Sequence, residues 1–399
     1  MDNSIIMSAT HIPVTKYPRH DKEQNSVTEQ SSYAFLLLAI SAKEDGVKEI
    51  VRTKLLAHLR ELISGGNEPC CDAVQIWSYP AIACAITVCK HIPEVWDWLT
   101  DSEVERLDTL MFALAAMNNF ISNDQNEYKT GIGLLGDVYK DRVPNFRFPF
   151  TIPIIAAAYY FGGADKLDSM FVNFDYDEFV ERLTNFKFTN MLARWTTSGY
   201  TRGTRTYPGA KELLTQESKA FVVSNAYGDF GNIYFAGFGK GVKIPYVYKG
   251  FRADEIGFVE NLVSYNHSGG TCVSHTPDLG GGVYECYTVD GSISEAEGLD
   301  GMLIEYNSKD AGGIRSGGHY CSVDFSMQVA LLAMLKTLGV YDIKTSTLWD
   351  KAQAGAIDHL NKMRAGYLGK GMGIKHFENA NNLRGHTYAR YLWTDFIAK

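Results

Sequence analysis

The stretch DSEVERLDTLMFALAAMNNF, Asp101 to Phe120, is where the fold class is read. Ser102-x-x-Glu105, beside Asp101, has the spacing of a capping box, in which a hydroxyl and a carboxylate satisfy free amides of a first helical turn. Leu107, Leu110, Met111 and Leu114 then recur at the three- and four-residue intervals of one helix face. The same logic carries outward along the chain. It predicts helices over 29–43, 47–63, 73–90, 101–121, 150–161, 175–193, 209–223, 252–265, 292–304, 319–337, 347–365 and 380–397. Glycine-rich loops separate many of them, at Gly131–Gly136, Gly199–Gly209, Gly228–Gly241, Gly269–Gly282 and Gly312–Gly318. No exact short repeat and no Pro/Ser/Gly linker divides the pattern. The expectation is a mainly all-α protein: an N-terminal extension over 1–28 and one domain of helical hairpins over 29–399. An (α/α) toroid, or an incomplete ring of such hairpins around a central cleft, satisfies these constraints.

Composition bounds the function. The 399 residues are 45% hydrophobic and 13% aromatic, enough for a substantial core. The most apolar stretch, FTIPIIAAAYYFGG (Phe150–Gly163), is shorter than a membrane span and carries Pro153. A formal charge of −8 argues against a general nucleic-acid binder. It leaves room for an anionic ligand, because a few cations focused in a cleft outweigh a mildly acidic surface. The first residues lack the apolar core of a secretory signal. The expected location is therefore the cytoplasm, or the periplasm or exterior where a leader has been trimmed. Seven cysteines without a CxxC pair form neither a disulfide framework nor a zinc site. Cys84 and Cys89, in AIACAITVCKHI, read as buried core thiols.

Walker A, HExxH, GxSxG and EF-hand patterns are all missing, so neither a cofactor nor a metal is expected. What stands out is polar and aromatic. ARWTTSGYTRGTRTYPG (Ala193–Gly209) interleaves Arg194, Arg202 and Arg205 with Trp195, Tyr200 and Tyr207. Aromatic faces stack on sugar rings, and guanidinium forks match carboxylates. The same interleaving also suits a solvated loop with its aromatics tucked beneath it. Upstream, Asn118, Asn119 and Asn145 are amides able to hold a carboxyl group. In ENLVSYNHSGG, Glu260 and His267 are seven residues apart and share a helix face. In GGIRSGGHYCSVDF, Arg315, His319 and Tyr320 stand at a glycine-rich helix entrance.

This set of Asn, His, Arg and Tyr on loops of a helical chain resembles the toroidal uronate polysaccharide lyases, above all the compact single-domain alginate and glucuronan lyases. The resemblance rests on ENLVSYNHSGG, GGIRSGGHY and the asparagines. It implies cleavage of an acidic polysaccharide by β-elimination. Tyr320 would be the base and also the acid, with Arg315 lowering its pKa. His267 and an asparagine, Asn119 first, would neutralise the substrate carboxylate, Glu260 would orient His267, and His319 would be the competing base. Arg194, Trp195, Tyr200, Arg202, Arg205, Tyr207 and Asn145 would contact the polymer. Two other classes stay open. A glycoside hydrolase would draw paired carboxyls from Glu260, Asp278, Glu285, Glu295 and Glu297. A non-catalytic carbohydrate-binding protein would use the tyrosines only to stack.

Overall fold

The structure is a computed structural model describing residues 1–14, 25–69, 76–116, 144–196, 317–345 and 382–399. It also describes 200–202, 205–207, 233–234, 243–244, 309–310 and 313–314, with residues 211, 349, 353 and 356. The chain divides into two compact units, Met1–Val138 with Pro149–Tyr227 and Tyr139–Phe148 with Gly228–Lys399. The described residues are mostly helical, in keeping with the mainly all-α expectation, and the strands are two or three residues long.

In the first unit the helices are α1 (Asn3–His11), α2 (Asn25–Asp45), α3 (Glu49–Leu62), α4 (Tyr79–Lys90), α5 (Pro93–Trp96) and α6 (Asp101–Ala116). Most of α7 (Pro144–Phe161), then α8 (Ala164–Val172), α9 (Tyr176–Asn185) and α10 (Thr189–Trp195) complete it. Two of these helices carry long stretches buried on every side and pack against each other. Tyr33 to Ile40 on α2 are each at most 1% exposed, and Tyr79 to Cys89 on α4 are buried throughout. A helix hydrophobic all round needs neighbours on every side, and α2 and α4 pack against each other. Residues 152–158 of α7 are likewise buried on every side, whereas helices such as α3 are amphipathic. On α3, Val51, Leu55, Leu59 and Leu62 face inward at helical spacing. Each fully buried aliphatic side chain of this kind stabilises the fold by roughly 1.5–3 kcal/mol. Gly46, at φ +86°, reverses the chain between α2 and α3 and makes them a helical hairpin. Cys84 and Cys89 are free and fully buried, as the apolar pattern predicted. Between them on α4, the Thr87 hydroxyl lies 2.8 Å from the Ala83 carbonyl and 3.0 Å from that of Ala156 on α7.

Three local findings depart from the sequence reading. Asn3–His11, placed in the N-terminal extension, form a helix whose Asp2 cap accepts from the Ser4 amide at 2.8 Å. Ile6 and Ala9 bury one face of it, too few residues for a periodic signal. The capping box of α6 lies two residues before the expected one. Glu103 returns to the Thr100 amide at 2.9 Å, and the Glu103 amide donates to the Thr100 hydroxyl at 3.2 Å. Finally, the single helix expected over 175–193 is two. Lys187 at φ 59° separates α9 from α10, a break that no glycine or proline announces.

The second unit contains α11 (Gly317–Thr337) and α12 (Asn382–Leu392), the latter running into a π turn at Trp393–Ile397. These helices pack together, and Lys336 Nζ donates to the Phe396 carbonyl at 2.7 Å. Short antiparallel ladders pair β3 (Ile233–Tyr234) with β4 (Lys243–Ile244) and β5 (Lys309–Asp310) with β6 (Gly313–Ile314). The helices expected over 252–265 and 292–304 lie outside the described residues, as does all but Lys211 of 209–223. Among the described residues no helix is long and apolar enough to cross a membrane.

Two buried titratable groups oppose each other in pH. Glu29, 4% exposed on α2, has its carboxyl pushed up to about 8 by burial. His58, stacked on Phe35 at 4.9 Å, is pulled down to about 3 by burial and by Lys54. A raised carboxyl contributes stability below its unfolded pKa and loses it as pH climbs to the folded value, here between about 4.5 and 8. The depressed imidazole loses stability instead as pH falls below about 6.5 towards 3. Glu29→Gln is therefore expected to leave stability little changed near pH 4.5 and to raise it by about 3 kcal/mol at pH 7. Thermal denaturation of both proteins across that range checks this. A Tm difference independent of pH would mean that Glu29 is ionised in its buried site.

Candidate functional site

The start of α10, the helix that leads into the polar-aromatic segment, is held by a clasp between two loops of the first unit. The loop after α3 meets the break between α9 and α10 so closely that a Cβ on Gly65 would lie 2.8 Å from the Lys187 carbonyl oxygen. No other residue type fits there without moving backbone. Arg106 of α6 locks the approach. Its Nη1 donates to the Ile63 carbonyl at 2.9 Å and to that of Phe186 at 3.1 Å, and the guanidinium lies 4.9 Å from the centre of the Phe186 ring. Glu68 then caps α10 from a distance. Its Oε1 accepts from the amides of Asn190 at 2.6 Å and Met191 at 3.2 Å. The Asn190 side chain returns to the carbonyls of Gly66 and Glu68 at 3.1 and 3.0 Å. Burial raises the pKa of Glu68 although four backbone hydrogen bonds lower it.

With its start fixed, α10 drives its last turn into the core. Trp195 is fully buried, its ring 4.4 Å from Phe179 and 5.8 Å from Phe174, and the Tyr176 hydroxyl donates to the Trp195 carbonyl. Arg194 is only 7% exposed. The structure thus places Trp195 in an aromatic core cluster, where its ring presents no face to a polymer. Arg194 is likewise a covered side chain.

The other four residues of the segment fall on one ribbon. β1 (Tyr200–Arg202) pairs antiparallel with β2 (Arg205–Tyr207), matching Tyr200 with Tyr207, Thr201 with Thr206 and Arg202 with Arg205. Directly paired residues share a face of an antiparallel ladder, and alternate residues along a strand do too. Tyr200, Arg202, Arg205 and Tyr207 therefore occupy one face, and the two threonines the other. Gly203 and Thr204, between the two strands in sequence, lie outside the described residues. By register, that face carries two arginines flanked by two tyrosines.

The proposed catalytic residues are described less fully. The backbone of GGIRSGGHYCSVDF is a ladder end followed by a helix start: β6 ends at Ile314 and α11 begins at Gly317. His319 and Tyr320 are thus in the first turn of α11, and Arg315 stands between the ladder and the helix. Asn145 is on the backbone of α7. Arg315 itself, Asn118, Asn119, Glu260 and His267 lie outside the described residues, as do the hydrolase candidates Asp278, Glu285, Glu295 and Glu297.

One cleft, which the sequence did not signal, opens over α9. It has about 210 Å³ of space, with Asp108, Phe112, Phe174, Asp175, Glu178 and Arg182 on its walls. Among the described residues no three His, Cys, Asp or Glu side chains are grouped to hold a metal.

The clasp is testable. Gly65→Ala is expected to cost about 1–3 kcal/mol, because the methyl meets backbone that has nowhere to move. The readout is a lowered Tm in thermal denaturation. An unchanged Tm would show that the two loops part without cost.

No protein-family model matches the chain, and no solved structure matches it. Among curated proteins it is similar to a gellan lyase from Bacillus sp, with 29% identity over 391 residues. The alignment covers 94% of this chain but 14% of that relative's length.

Proposed function

We propose that this chain is the catalytic part of a polysaccharide lyase that cleaves a uronic-acid-containing polymer by β-elimination. The observation carrying this reading is the similarity to a gellan lyase along 94% of the chain. It is supported by the ribbon that gathers Tyr200, Arg202, Arg205 and Tyr207 on one face. Gellan is the first substrate to test, followed by alginate and glucuronan. The architecture in this reading is an (α/α) toroid, of which helical hairpins such as α2–α3 are the repeating piece.

The chemistry requires three things. The substrate carboxylate must be neutralised before the proton on C5 becomes acidic enough to remove, a task for His267, Asn119 and Arg315. A base takes that proton, the electron pair forms the C4=C5 double bond, and the C4–O4 bond breaks. An acid then protonates the departing O4. Tyr320 fills both proton-transfer roles and His319 is the competing base. A free tyrosine has a pKa near 10, so it needs help to be a base at neutral pH. Its position in the first turn of α11 supports the assignment, since the partial positive charge of a helix start favours anions there. Arg315, five residues earlier, adds a full positive charge.

The test is ultraviolet absorbance. Elimination creates a conjugated double bond, whereas hydrolysis yields reducing ends without that absorbance. Tyr320→Phe keeps the ring, and is expected to lower kcat by about 10²–10⁴ while polymer binding survives. Arg202→Gln and Arg205→Gln are each expected to raise KM about tenfold and to flatten its dependence on salt. Near-normal turnover in Tyr320→Phe would move the base to His319. Reducing ends without absorbance would replace the lyase reading with a hydrolase.

A further inference from the structure

The start of α2 is buried yet polar. Thr28, Glu29, Ser31, Ser32 and Tyr33 are each at most 4% exposed, and only after them does the apolar run Ala34–Ile40 begin. Buried polar atoms need partners, and the serines have them. Ser31 Oγ donates to the Pro13 carbonyl at 3.1 Å and Ser32 Oγ to the Thr28 carbonyl at 2.7 Å. The hydroxyls of Thr28 and Tyr33 are buried without a hydrogen-bond partner among the described residues. The Glu29 carboxyl, pushed up to about 8 by burial, forms no hydrogen bond among them either.

Glu29 and Tyr33 are one helical turn apart and lie on one face of α2. That face looks towards α4. The two helices run parallel: Lys43, near the end of α2, donates to the His91 carbonyl at the end of α4 at 2.8 Å, and α2 also packs on Ile76–Ser78, the turn that opens α4. The Tyr33 phenol is pushed up by burial, then by Glu29 and by the Cys84 thiol of α4, so the three groups are neighbours between the helices. Glu29 keeps 4% of its surface open to a water molecule, against 1% for Tyr33 and 0% for Thr28, Ser31 and Ser32. The room in this turn is therefore beside Glu29.

We infer that Glu29 and Tyr33 bind one buried water molecule between α2 and α4. An internal water takes about two to four polar partners, and the carboxyl and the phenol supply two. The Cys84 thiol, a weak donor, is the third group at hand. A protonated carboxyl both donates and accepts, and so do a phenol and a water, so a single molecule completes both side chains. Leaving two neighbouring groups buried and unpaired is the costly alternative. A metal ion fits less well. Calcium asks for about six to eight oxygens, and among the described residues no three His, Cys, Asp or Glu side chains are grouped. The inference does not depend on the lyase reading.

The experiment counts long-lived internal waters in the whole chain by magnetic relaxation dispersion of the water oxygen. Tyr33→Phe and Glu29→Met nearly keep the size of each side chain and remove its hydrogen-bonding atoms. Each is expected to lower the count by one. Glu29→Gln keeps a donor and an acceptor and is expected to leave the count unchanged. Circular dichroism confirms that each variant is folded. Should Glu29→Met fail to fold, Tyr33→Phe, which loses a single oxygen, decides alone. Equal counts in the unaltered chain and in Tyr33→Phe overturn the inference. A second arm exchanges choline chloride for potassium chloride at equal ionic strength, and the Tm is expected to be the same in both salts. A Tm raised by potassium in the unaltered chain but not in Glu29→Gln would place a cation there and overturn the inference as well.

Discussion

The backbone of the loop after α3 touches the backbone between α9 and α10 at Gly65, and much of the first unit depends on that approach. Arg106 can reach two carbonyls from separate segments only because the segments are this close. Glu68 can cap α10 only because the same approach brings it to the Asn190 and Met191 amides. The capping carboxyl carries an internal tension. Oε1 takes the Asn190 and Met191 amides, and burial outweighs the backbone hydrogen bonds in raising the pKa.

The fold class was legible because helix period and capping are local signals. Leu107, Leu110 and Leu114 declared α6, and the apolar run around Cys84 and Cys89 declared α4. What escaped was set by tertiary contact. The break at Lys187 carries no glycine; its positive φ occurs where its backbone lies against Gly65, a contact between segments far apart in sequence. The misplaced capping box shows a milder failure: Thr100 and Ser102 both had an acidic residue three positions on, and only the observed start of the helix chooses between them.

The candidate site shows the same division. Composition picked out the segment 193–209 as unusual, but could not separate its buried part from its ribbon. Arg194 and Trp195 lie on a helix whose start is fixed by Glu68, 122 residues away from Asn190 in sequence, so their burial is a non-local fact. Tyr200, Arg202, Arg205 and Tyr207 alternate along the chain, and the pairing register turns that alternation into one face. The cleft over α9 was invisible because its walls come from α6, α8, the turn before α9 and α9 itself. The overall charge of −8 is thus a poor guide to either surface. Local sign is set by which side chains the fold gathers.

The glycines at the start of α11 bear on how a tyrosine there can serve chemistry. Gly317 and Gly318 open a helix of 21 residues, and glycine is a weaker helix former than alanine. A helix selected for stability alone would not begin this way. α11 tolerates the cost because it is held elsewhere: Ser326 to Leu335 are each at most 1% exposed, and this segment packs against α12. Burial of that apolar run outweighs two weak residues at the other end by several-fold, on about 1.5–3 kcal/mol per large side chain. The first turn is thereby released from any stabilising duty. Omitting side chains there brings backbone amides and a partial positive charge within reach of an approaching anion, with His319 and Tyr320 immediately behind. On the proposed reading that anion is the substrate carboxylate, and the same partial charge that attracts it also favours the phenolate that must act beside it.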